Sequence, residues 1–80
     1  MPRVRSSRTE VQKYLRRTWG HLEDALKDLL SAYVIVESEK PEVADILQEI
    51  GITIYVSQEG IKEFWRKLWG EPPEQMRTHH

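Results

Sequence analysis

The chain has no cysteine among its 80 residues. That excludes disulfides, thiol catalysis, zinc ribbons and redox motifs, and it fits a reducing compartment such as the cytoplasm. No apolar run approaches the roughly 20 residues needed to cross a bilayer. The N-terminus, Met1-Pro2-Arg3-Val4-Arg5-Ser6-Ser7-Arg8, is basic with no apolar segment behind it, so it does not read as a signal peptide. A cytoplasmic location without a membrane partner is therefore expected.

Other scarcities narrow the chemistry. The four glycines stand singly at 20, 51, 60 and 70, which leaves no glycine-rich phosphate loop. His21 is isolated, and His79 and His80 end the chain, whereas a zinc site needs three or four convergent ligands. Glu37, Glu39 and Lys40 have the residue types of a metal-dependent nuclease but not its spacing, and they read as a solvated loop. No nucleophile–base pair is visible. No catalytic residue, metal or cofactor is expected, and the chain does not read as an enzyme.

What is present is charge, strongly segregated. The formal net charge is −1. Residues 1–17 nevertheless hold six basic residues (Arg3, Arg5, Arg8, Lys13, Arg16, Arg17) against one acid, Glu10. Residues 18–63 hold three lysines and ten acids. The pattern is a basic arm on an acidic body.

Apolar periodicity sets the expected elements. Residues 1–8 are polar and aperiodic and read as a flexible arm. From Thr9 a helical stripe runs through Val11, Leu15, Trp19, Leu22, Leu26, Leu29 and Tyr33 at spacings of three and four, which predicts a helix over about residues 9–30. Ala32-Tyr33-Val34-Ile35-Val36 and Ile52-Thr53-Ile54-Tyr55-Val56 are β-branched runs, and each is expected to be a short strand. Between them, Pro41 suits the first turn of a helix. Val43, Ile46, Leu47 and Ile50 give that helix an apolar face, and Gly51 can end it. Ser57 can cap a third helix carrying Ile61, Phe64, Trp65, Leu68 and Trp69, with Gly70 as its stop. Residues 71–80 read as a disordered tail. The expected fold is α/β: a helix-rich α-β-α-β-α domain with two short parallel strands, occupying residues 9–70. The alternative is an all-α three-helix domain in which the first helix continues to about residue 37.

Two surfaces emerge as candidates. Trp19, Phe64, Trp65, Leu68 and Trp69 are large side chains in a chain that can bury only about 60–65% of its surface. They point to a non-enzymatic interaction or regulatory module that self-associates or holds another protein. The second candidate is phosphate binding by Arg3, Arg5, Arg8, Lys13, Arg16 and Arg17, which would make a nucleic-acid-binding protein. The acidic body opposes that use. A helix-turn-helix over residues 41–69 fits poorly, because Gly51 to Ser57 exceeds the usual three- or four-residue turn and Glu59 and Glu63 stand where base contacts belong.

Overall fold

A computed structural model describes residues 4–77, with side chains from Ser7 onward. Two long helices, α1 (Val4–Glu39) and α2 (Pro41–Trp69), form an antiparallel hairpin, and a single turn, α3 (Glu74–Arg77), folds back over its open end. The molecule is a rod of 58 × 19 × 17 Å.

The hairpin turns on Lys40 and Pro41. A proline disfavours helical backbone at the residue before it, and Lys40 takes φ −142°, ψ 70°. Pro41 begins α2, where its missing N–H leaves nothing unpaired. Lys40 N–H still donates to the Val36 carbonyl at 2.6 Å, and Val43 N–H donates to the Lys40 carbonyl at 3.1 Å. At the other end Gly70 stops α2 at φ 98°, a backbone region that only glycine enters without strain. Glu42 in the first turn of α2 and Arg66 and Lys67 in its last complement the helix dipole.

The helices meet along seams with a heptad repeat. On α1 the covered positions include Leu15, Trp19, Leu22, Leu26, Leu29, Tyr33 and Val36, and on α2 they include Ala44, Leu47, Gly51, Ile54, Gln58, Ile61 and Trp65. Both sets alternate steps of three and four without a break, as the a and d positions of a coiled coil do. The register is fixed by contacts across it. Gln58 reaches Trp19 and Glu23, and Gly51 faces Leu29 and Leu26. The core proper lies at the open end. Trp19, Trp65 and Met76 are buried there, with Leu15, Ile61 and Trp69 packed around them.

The two strands expected near residues 32–37 and 52–56 do not exist, and the α/β expectation is corrected to an all-helical fold. Both runs lie inside helices. The reason is seam packing. Tyr33 and Val36 continue the α1 repeat, and Ile54 continues that of α2. The helix penalty of a β-branched residue is only about half a kcal/mol, less than burial of a large apolar side chain contributes. Gly51 and Ser57, expected as helix punctuation, are interior to α2. The Ser57 hydroxyl donates back to the Thr53 carbonyl at 3.0 Å. The expected arm and tail are described only in part, residues 1–3 and 78–80 lying outside the described residues. Helix α1 already includes residues 4–8, and Pro72 and Met76 are buried.

Candidate interaction surface

The five aromatic and aliphatic candidates divide. Trp19 and Trp65, at 2% and 4% exposure, are interior to the hairpin. Trp65 and Trp69 meet edge to face with ring centroids 4.9 Å apart, and Phe64 stands edge-on to Trp69 at 5.8 Å. Trp69 is half-buried against the core, while Phe64 and Leu68 remain exposed. This cluster is therefore mainly the monomer's own core, with Phe64 and Leu68 as its outward edge.

The basic candidates lie along the open end, in part held by aromatics. The Arg16 guanidinium sits 5.5 Å from the Trp65 ring centre, and Lys13 and Arg17 flank Tyr14 at 5.0 and 5.7 Å. Such contacts favour a cation over a ring face. Arg8 is exposed in α1. Arg3 and the Arg5 side chain lie outside the described residues. The hairpin brings Lys62, Arg66, Lys67 and Arg77 to the same end, where Lys62, Arg66 and Arg77 are joined to Glu59, Glu63 and Glu71 respectively. The open end therefore does not present an unbroken basic surface.

A buried polar contact sits in the seam between these regions. Gln58 is fully buried and donates through Nε2 to Glu23 Oε1 at 2.7 Å and to the Trp19 carbonyl at 3.5 Å. Among the described residues no buried side-chain nitrogen or oxygen lacks a partner. Also among them, no group of three or more His, Asp or Glu converges as a metal site would, and no helix is long and apolar enough to cross a membrane.

The surface that sequence reasoning missed is the turn half, residues 23–56. Leu30, Val34, Ile35, Ile46, Ile52 and Val56 are all exposed, Leu30 to 62%. Val43, Ile50 and Tyr55 add to them. An amphipathic helix ordinarily keeps its large apolar residues on the covered face, yet here both helices of the turn half also expose them beyond the seam, among charged residues. A groove of about 330 Å³ opens on one side of this half, walled by Leu30, Tyr33, Leu47, Ile52 and Tyr55 and floored at Gly51. The signal was present in the same β-branched runs that suggested strands. Read as helices, those runs carry more apolar residues than one seam can cover.

No family model, curated protein or solved structure matches this chain.

Proposed function

We propose that the protein is a non-enzymatic interaction module that works as a homo-oligomer, with the turn half of the hairpin as its association surface. The observation that carries this reading is the number of large apolar residues exposed off the seam of both helices over residues 23–56. Shape supports it. The radius of gyration is 16.2 Å, against about 12 Å for a compact chain of 80 residues. A two-helix rod has one seam, and its small core lies at the open end, so apolar residues off the seam in the turn half stay uncovered within one chain. Sedimentation equilibrium from about 1 to 100 μM tests the proposal. A mass of two or more chains is expected, and a mass of one chain across that range overturns it.

The alternative, a nucleic-acid-binding protein, is favoured by one observation: Arg8, Lys13, Arg16 and Arg17 all lie on the open half of α1. Phosphate contacts by these residues weaken steeply with salt, whereas apolar association does not. Retention on a polyanion at about 50 mM salt that is lost by about 200 mM, and lost on replacing Arg8 and Arg17 by alanine, supports that alternative. Absence of retention at the lower salt excludes it.

A further inference from the structure

The two flanks of the hairpin seam differ in a way that a lone hairpin does not require. On the flank facing the groove, the seam-adjacent positions are Arg16, Glu23, Leu30 and Glu37 on α1 and Gln48, Tyr55, Lys62 and Trp69 on α2, and four of these eight are charged. Charge at such positions is usual beside a two-helix seam. On the opposite flank the equivalent positions are Val11, Thr18, Ala25 and Ala32 on α1, and Val43, Ile50, Ser57 and Phe64 on α2. None of these eight is charged; the next position in the α1 series, at the turn, is Glu39.

The polar members of this flank are already satisfied. Thr18 Oγ1 donates to the Tyr14 carbonyl at 2.9 Å, and Ser57 Oγ donates to the Thr53 carbonyl at 3.0 Å. Covering them with another chain strands no hydroxyl proton, so the penalty for an unmade hydrogen bond does not arise. The residues of α1 on this flank other than Val11 are small, which lets another backbone approach closely.

We infer that this uncharged flank is the seat of a second copy of the chain, laid antiparallel across it to make a four-helix bundle. The inference rests on the self-association reading and specifies its face and direction. Area favours this occupant. The chain exposes 5982 Å², whereas a compact folded protein of 9.5 kDa exposes about 5,000 Å². The excess is of the size that each partner contributes to a standard interface, about 800 Å². Charge sets the direction. Residues 23–56 hold eight acids and two lysines, a net −6 on the turn half. On the open half, residues 7–22 hold Arg8, Lys13, Arg16 and Arg17 against Glu10, and residues 57–77 are balanced at four of each sign. Two copies side by side in the same direction would juxtapose two acidic turn halves. Reversing one places each acidic half beside the partner's basic half, and complementary rims of this kind fix register and orientation.

Absence of cysteine makes the geometry testable with single-cysteine variants. In the antiparallel pair the two-fold axis crosses the middle of the rod. Ser57 lies there, about one residue from the midpoint between turn and open end. Ala32 lies about eight residues towards the turn, so its two copies stand about 24 Å apart at 1.5 Å of rise per residue, far beyond the reach of a disulfide. Under mild oxidation Ser57→Cys should cross-link to its own copy and Ala32→Cys should not. Cross-linking at Ala32, or at neither site in a chain that sediments as a dimer, overturns the arrangement. The face is tested separately by two exposed substitutions, with helicity checked by circular dichroism. Ile50→Glu, on the uncharged flank, should raise the dimer dissociation constant by about a hundredfold, because the substitution is present twice and each copy is expected to cost about tenfold. Ile52→Glu, on the groove side, should change it by less than about threefold. The reverse ranking overturns the choice of face while leaving self-association intact. A wild-type monomer at every concentration overturns both.

Discussion

Gly51 and Gln58 are the two seam residues that least resemble core residues, and each has a measurable consequence. A Cβ placed on Gly51 would meet Leu29 Cδ2 at 3.4 Å and Leu26 Cδ2 at 4.0 Å, whereas one on Gly60 would meet nothing within 4 Å. Glycine inside a helix is less favourable than alanine by about 1 kcal/mol. Gly60→Ala should therefore stabilise by about that amount in urea denaturation. Gly51→Ala should stabilise by less, about 0.5 kcal/mol, because the new methyl takes up space against Leu29. A loss of stability at Gly51 would mean that the seam there has no room at all. Gln58 behaves differently. Its amide is buried, and its shortest bond is to Glu23. Glu23→Ala removes that acceptor and should cost about 1–2 kcal/mol, the penalty of weakening a buried donor's hydrogen bonding. Gln58→Leu removes the demand and leaves a carboxylate that is only half-buried, so it should cost less than Glu23→Ala. The same denaturation series decides the order.

At the scale of elements, legibility followed the strength of the apolar period. The α1 stripe from Leu15 to Tyr33 is all large and apolar, and it was readable at once. Its continuation through Val36 was hidden because Tyr33-Val34-Ile35-Val36 is apolar at every position, and a short run of that kind has no period to distinguish helix from strand. The α2 seam was hidden for a different reason. Two of its seven positions, Gly51 and Gln58, are a glycine and a polar amide, so the repeat is visible in spacing and not in hydrophobicity. The punctuation was read correctly where the backbone requires it. Pro41 starts α2, and Gly70 ends it at positive φ. It was misread where glycine and serine serve packing or bond back to their own helix. Helix α3 was not legible, since four residues after two prolines have no period. Yet its Met76 is fully buried between the core tryptophans and their neighbours. Met76→Ala should cost about 2–3 kcal/mol, as truncation of a buried methionine does, and should lower the thermal midpoint by about 10 °C or more in a domain of this size. Arg77→Ala serves as the control. Its ion pair with Glu71 is largely exposed, and its loss should be close to neutral.

At the scale of the molecule, the proposed self-association ties the hairpin's stability to its concentration. Among the described residues the buried core is confined to Trp19, Trp65 and Met76 at the open end, with Ala44, Gln58 and Pro72 the other buried residues. The turn half contributes large apolar residues that one chain leaves in water. If a second copy covers that surface as proposed, association adds to folding stability and unfolding should depend on concentration by mass action. Each tenfold rise in protein concentration adds about 1.4 kcal/mol to the stability of a dimer. For about 160 residues unfolding together, that corresponds to a rise of about 3–6 °C in the thermal midpoint. Calorimetry at about 5, 50 and 500 μM should show this slope for the wild-type chain. Ile50→Glu should lower the midpoint and flatten the slope, because a monomer's unfolding has no concentration dependence. The salt response carries the electrostatic half of the argument. If acidic turn half meets basic open half, screening should lower the wild-type midpoint modestly between low ionic strength and about 0.5 M salt. In Ile50→Glu, where no such rims meet, that loss should shrink. A midpoint independent of concentration would instead make the exposed apolar residues a property of the single hairpin.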